Sequence, residues 1–384
     1  MKKVFIQYNC IAHYRTRIFE LLSHSKSTEF TIIADNEPDI PFLKTFGESE
    51  SRFIRTKYSK NYKLNLPKLP EIYFQPKTIY YIIRERPDCL ISLGTIYSLT
   101  SWASLLTAKL LGIPCIIWGH GLLEEEKGLK WFMRKAFYNL ADAQLLYGNY
   151  AKNLLIDKGF AEEKLFVVYN SLDFDSQVEI EKSITPEQIE RFKAENNISF
   201  ASKLLVFTGR LQPVKKLDQL IKTTALLNEN GVDTHLAFIG DGQLREFLEQ
   251  LATDNKIRDK VHFLGASYDE AFIGLVFKAS DLCIIPSGAG LTIMHAMVYG
   301  TPVLLSDNLA QHFPEWEAVE EGKTGFYYKT DDIIDMVNKA KEVLQSDKKS
   351  NIRQNCLKVI QEKYNPYVQE KVFEAAVNSV TEKI

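Results

Sequence analysis

The sequence lacks any pattern that would pair its cysteines. There are five (Cys10, Cys89, Cys115, Cys283, Cys356), an odd number, widely spaced and never in a C-x-x-C. Three sit in apolar, strand-like runs, so the expectation is buried, reduced thiols in a cytosolic protein. Net charge is also small, a formal −2 over 384 residues, which removes the usual electrostatic reason to expect nucleic acid as a partner. No apolar run is long enough and clean enough to span a bilayer. The nearest, residues 89–119, is interrupted by Gly94, Lys109, Gly112 and Pro114 and reads as strand, helix, strand. The N-terminal MKKVFIQYNC has two lysines but no cleavage-site pattern of a signal peptide. Low-complexity segments and short repeats are missing, and no G-x-G-x-x-G follows the first strand, which argues against a hydride-transferring dehydrogenase.

What is present is an alternation of short apolar runs with amphipathic stretches. KVFIQYN, FTIIAD, CLISLG, PCIIWG, AQLLYG and LFVVYN read as strands, separated by helical patterns such as YRTRIFELLSHS and the segments around Leu99–Leu111 and Leu129–Leu140. After a polar, periodic segment (Asp175 to Asn197) the alternation restarts with KLLVFTG, HLAFIG, KVHFLG, DLCIIPS and PVLLSD. Alternation of this kind means βαβ units and parallel sheets. With 45% apolar residues and a length beyond one compact core, the expected fold is α/β, two doubly wound parallel-sheet domains facing each other across a cleft. The boundaries expected are 1–180 and 181–366, with a last helix, 367–384, crossing back to the first domain.

Ligands of such sheets bind beyond the carboxyl ends of the strands. Four turns stand there in the second half: TGRLQPVKK (208–216), IGDG (239–242), FLG (263–265) and PSGAGLTIMH (286–295). Arg210 and Lys215 pair a planar fork with a mobile point charge, a combination suited to a diphosphate. The last turn leads from a strand through glycines into a helix, expected over Thr292–Tyr299, whose first backbone N–H groups would face an anion. It places His295 in the first turn of that helix, and no acid lies between Asp281 and Asp307.

On these residues the chain resembles the retaining glycosyltransferases of family 4 (group 1), which have the GT-B fold. GRL-x3-K at 209–215, IGDG, FLG, the GL-x3-H turn, TPV at 301–303 and GKTGF at 322–326 stand in that family's order and spacing. GHG at 119–121 resembles its loop histidine, YNSLD at 169–173 its interdomain segment, and AHYR at 12–15 the first-strand loop of polysaccharide-assembling members. The resemblance implies transfer of a sugar from a nucleotide diphosphate donor, with retention and no required metal or cofactor. It assigns catalysis to His120, Arg210 and Lys215, and donor binding to Gly209, Gly240, Leu264, Ser287, Gly288, Gly290, Leu291, Thr292 and His295. His13, Tyr14 and Arg15 fall on the acceptor side. Where many members carry two glutamates, this chain has Ser287 and His295, like a branch with a P-G-x-V-G-L-x3-H type of turn.

For the acceptor, residues 51–70 hold Arg52, Arg55, Lys57, Lys60, Lys63 and Lys68 with no acid, and Phe53, Tyr58 and Tyr62 between them. Such a stretch suits an anionic membrane surface or a lipid diphosphate. The expectation is therefore a cytoplasmic glycosyltransferase in peripheral contact with an anionic membrane, assembling a capsule, O-antigen or similar cell-surface glycan from a nucleotide-sugar donor. Two alternatives stay open: a nucleotide-sugar 2-epimerase of the same fold, and a non-catalytic nucleotide-sugar-binding partner subunit.

Overall fold

A computed structural model describes residues 1–35, 54–64, 71–346 and 349–382. The chain forms two compact units, Met1–Asp173 with Asn365–Ile384, and Phe174–Tyr364. The first unit is built on β1 (Lys2–Cys10), β2 (Thr28–Asp35), β3 (Thr56–Tyr58), β4 (Tyr62–Leu64), β5 (Ile72–Phe74), β6 (Cys89–Leu93), β7 (Cys115–Gly119), β8 (Ala143–Leu146) and β9 (Leu165–Val167). Seven of these pair in parallel in the order β3-β2-β1-β6-β7-β8-β9, while β4 and β5 form a separate antiparallel pair. Helices cover both faces, so the inner strands are largely apolar; Ile6, Ile91 and Ile116 are fully buried, and the buried polar Gln7 and Ser92 bond to each other. On one face Ile18, Phe19 and Leu22 of the helix Thr16–Ser23 and Phe373 of the helix Pro366–Thr381 surround Trp118. On the other, Ile82, Leu105 and Phe137 anchor the helices Pro76–Glu85, Leu99–Leu110 and Gly128–Tyr138.

The second unit holds β10 (Lys203–Thr208), β11 (Thr234–Ile239), β12 (Val261–Phe263), β13 (Leu282–Ile285), β14 (Val303–Ser306) and β15 (Gly325–Tyr328), all parallel, in the order β12-β11-β10-β13-β14-β15. Both sheets reverse their winding once, between β1 and β6 and between β10 and β13. A crevice opens beyond the carboxyl ends at such a reversal, because the two flanking loops leave toward opposite faces.

The expected boundary at 180 falls inside the helix Phe174–Ser183. That helix belongs wholly to the second unit, where Glu181 ion-pairs with Lys278 and Arg353. The helix Glu270–Ala279 (EAFIGLVFKA) shows no two-sided pattern in the sequence because it is apolar nearly all round and lies buried along most of its length. All five cysteines are free and buried.

Candidate active site

The carboxyl ends of β10 and β11 approach so closely that two glycines are obligatory. A Cβ on Gly240 (φ +155°) would stand 1.9 Å from the Gly209 carbonyl oxygen, and one on Gly242 (φ +156°) 2.6 Å from that of Leu211. The loops are then laced together: Gly209 N–H donates to Ile239 (3.0 Å), Leu211 N–H to Asp241 (3.0 Å) and Gly240 N–H to Gly265 (2.8 Å). Leu264 N–H donates to Phe238 (2.9 Å), which joins the FLG turn to the same group. The IGDG turn is therefore a scaffold under the loop that carries Arg210.

Across the winding reversal, Lys215 Nζ donates to the carbonyl of Gly288 at 2.6 Å. Gly288 has φ +63°, and a Cβ there would lie 2.8 Å from the same Nζ. Burial, and after it the Arg210 charge, lowers the Lys215 pKa from its ordinary value. A desolvated ammonium beside a second cation is under tension that an anion would relieve. The helix Leu291–Val298 follows, tied to the end of β10 by the Thr292 hydroxyl, which donates to the Thr208 carbonyl at 3.0 Å. Gly209, Arg210, Lys215, Gly240, Leu264 and the run Ser287–Thr292 thus gather at the carboxyl ends of β10, β11 and β13.

A residue without any sequence signal holds this turn in place. His312 is 2% exposed, and its Nδ1 accepts from Ala289 N–H at 3.1 Å. With Nδ1 an acceptor, the proton sits on Nε2, 3.1 Å from the Ser306 carbonyl and 3.0 Å from its hydroxyl. Flanking bonds run from Gly288 N–H to Gln311 (3.0 Å) and from Phe313 N–H to Ala289 (2.7 Å). Burial lowers the His312 pKa; a bond to the Ser306 backbone opposes this, and the Lys215 charge adds to the lowering.

His295 sits elsewhere than expected. It is the fifth residue of a two-turn helix, in its last turn rather than its first. Its Nδ1 lies 3.3 Å from both Glu270 Oε1 and Gln177 Nε2, and its ring stacks on Phe277. Gln177 and the Tyr299 hydroxyl also donate to Glu270 Oε1, at 2.8 and 2.7 Å. Burial works to raise the Glu270 pKa, but the His295 charge and the bonds from His295, Gln177 and Tyr299 prevail and hold it at about 2. Gln177 and Glu270 come from helices far away in sequence, so no local pattern pointed to them.

In the first unit, His13, Tyr14 and Arg15 form a short 3-10 turn just after β1. Arg15, expected on the acceptor side, turns inward instead: 4% exposed, it donates to Asn170 Oδ1 (2.6 Å) and the Tyr147 hydroxyl (2.8 Å) and lies over the Trp118 and Tyr147 rings. It therefore fastens the HYR turn to YNSLD. That segment is anchored in turn by Ser171 Oγ, which donates to Gln369 (2.5 Å), and by Gln369 Nε2, which donates to the Tyr169 carbonyl (3.0 Å). His120 follows β7, its ring 4.9 Å from that of Tyr147. His120 is solvent-exposed, although the protein packed around its ring and, after it, the Arg15 charge lower its pKa. Gly121 (φ +67°) has no room for a Cβ, which would meet Leu146 at 2.9 Å.

Of the basic stretch, Arg52, Phe53 and Lys68 lie outside the described residues. Lys57 is half-buried in an ion pair with Glu85 (2.7 Å), and Arg55 lies 3.6 Å from Glu29. Acids from other elements therefore absorb part of a charge that looks unopposed in sequence. Among the described residues, no helix is long and apolar enough to cross a membrane.

Comparison with known proteins places these features. Residues 188–358 match the family described as glycosyl transferases group 1, and residues 21–176 that described as glycosyltransferase family 4. An uncharacterised glycosyltransferase of Methanocaldococcus jannaschii is 30% identical over 151 residues, which are 38% of this chain and 37% of that protein, so the match spans little more than a third of that relative's length. Anabaena HepE, solved with UDP, superposes with a TM-score of 0.74 at 17% identity, covering 99% of this chain and all of that one. The lipopolysaccharide outer core galactosyltransferase WaaB superposes with a TM-score of 0.69 at 17% identity, covering 99% of each chain. Two matched domains in tandem and this architecture make the chain a group 1 glycosyltransferase of the GT-B fold.

Proposed function

We propose that the protein transfers a sugar, with retention at the anomeric carbon, from a nucleoside diphosphate donor to a polysaccharide or lipid-linked glycan of the cell surface. The observation that carries this reading is Lys215, desolvated beside Arg210 and aimed at the glycine turn. As the bond from the sugar to the diphosphate breaks, negative charge grows on the departing phosphate. Two fixed cations and the N–H groups at the start of the helix Leu291–Val298 stabilise that charge without a metal ion. HepE was solved with UDP, which supports a uridine diphosphate donor, and WaaB, a lipopolysaccharide galactosyltransferase, supports a cell-surface acceptor. In the first unit, His120 serves as an uncharged hydrogen-bonding group toward the sugar, and His13 and Tyr14 serve the acceptor.

The test is incubation with UDP-, GDP-, ADP- and dTDP-sugars, with and without a chelator, in the presence of lipid extracts as acceptor. Release of free nucleotide that persists with chelator, together with an α-linked product from an α-linked donor, is expected. An epimerised nucleotide sugar, or binding without turnover, would replace this reading with an isomerase or a binding subunit.

A further inference from the structure

Large apolar side chains left exposed in the second unit are scattered among separate elements, such as Phe200, Phe247 and Ile334. In the first unit some stand on β3, β4 and β5 (Tyr58, Tyr62, Leu64, Phe74), and a larger group lies on three neighbouring helices that cover one face of the sheet. Tyr80 and Ile83 project from Pro76–Glu85, each more than half exposed. Leu106 (48%) and Leu110 (88%) project from Leu99–Leu110, and Leu129 (74%) and Phe132 (70%) from Gly128–Tyr138. The helices are side by side: the first packs along the second, and Trp102 of the second meets Phe137 of the third with ring centroids 4.9 Å apart. Their inner faces already fill the core through Ile82, Leu105 and Phe137, so the outer residues add nothing to it. A face this apolar on a water-soluble domain marks an interaction surface.

Charge identifies the partner. The three helices hold six cations and one carboxylate, Glu85, which is already paired with Lys3 and Lys57. Glu126, just before the third helix, is consumed by Lys130 and Arg134. Glu125, in the same loop, lies 3.8 Å from Lys127 and 4.0 Å from Lys158. Among the described residues, Lys77, Lys109 and Lys135 have no carboxylate within ion-pair distance. A second copy docking here would set like charges opposite one another. A bilayer with anionic headgroups accepts both features, since lysine stems lie along the apolar layer while their ammonium groups reach the phosphates. We infer that the outer face of the helices Pro76–Glu85, Leu99–Leu110 and Gly128–Tyr138 is a membrane-docking surface for anionic lipid. The inference stands independently of the transfer reaction.

The experiment is co-sedimentation of the full chain with vesicles of phosphatidylcholine alone or mixed with phosphatidylglycerol, at low and high salt. Wild type should bind the mixed vesicles, more weakly at high salt and hardly at all without anionic lipid. Leu110→Ser with Phe132→Ser, and separately Lys109→Glu with Lys135→Glu, should each weaken binding by about tenfold or more. All four sites are exposed, so circular dichroism and Tm should not change. Lys57→Ala with Lys60→Ala and Lys63→Ala should still bind. The inference is overturned if wild type ignores anionic vesicles, if both double variants bind like wild type, or if the lysine triple variant alone is released. It is also overturned if wild type is a dimer in solution that Leu110→Ser with Phe132→Ser turns into a monomer without vesicle binding.

Discussion

Lys215 and His295 show how differently two basic residues of the second unit are held. Lys215 donates to the Gly288 carbonyl, and burial followed by the Arg210 charge lowers its pKa, a strain that an anion bound there would relieve. Lys215→Ala or Arg210→Ala should therefore lower turnover by roughly a hundredfold, the scale for one positioned charge-stabilising group, with little change in Tm; wild-type turnover in both would remove them from the mechanism. His295, in contrast, faces a carboxylate. Glu270 has its pKa at about 2 in the fold against an ordinary 4.5, so the stability it contributes is present above about 4.5 and is lost as pH falls through about 2. In His295→Ala that acid-side loss should shrink and the Tm at neutral pH should drop. Thermal melts across pH 2 to 7 measure this. An unchanged melt profile with weakened UDP affinity would show that His295 acts on the ligand and not on Glu270.

At the scale of an element, the donor turn is a loop whose shape comes from its neighbours. The run Ser287–Gly290 is held by its bonds to Lys215, Gln311, His312 and Phe313, and the residue before it by the Ser306 hydroxyl, which donates to the Pro286 carbonyl. His312→Phe keeps the ring but leaves Ala289 N–H and the Ser306 carbonyl buried without their partner, at a cost of about 1–3 kcal/mol each. The expected result is UDP affinity weakened by about tenfold, measured by calorimetry at a temperature where the variant is folded. His312→Gln, which retains an acceptor, should recover part of it. Wild-type affinity in His312→Phe would mean that the turn holds its shape without this histidine.

For the molecule as a whole, the chain crosses between units twice, and its last helix completes the first. Phe373 is fully buried, its ring centroid 4.8 Å from that of Trp118, and Gln369 holds the YNSLD segment from the same helix. Phe373→Ala should cost the first unit about 3–5 kcal/mol. Calorimetric unfolding should show the transition of that unit moving down while the other stays in place; a shift shared equally by both would mean that they unfold as one body.

Much of this was legible in the sequence, and the reason is local. Apolar runs such as KLLVFTG and PCIIWG announce buried parallel strands because both faces of such a strand are covered, and strand ends place their turns by simple chain order. The positions of Gly209, Arg210, Gly240 and the Ser287–Thr292 run followed from that order alone. The resemblance to known glycosyltransferases added roles to those positions. What only the tertiary structure decided is which groups meet across long separations. Arg15, placed on the acceptor side by the resemblance, is buried against Asn170 and Tyr147, which lie more than a hundred residues away. His295 finds Glu270 on a helix with no amphipathic period, and His312 finds Ala289 through a loop that has no pattern at all. Periodicity records whether a residue faces the core; the identity of the partner it meets there is set by the packing of the whole unit.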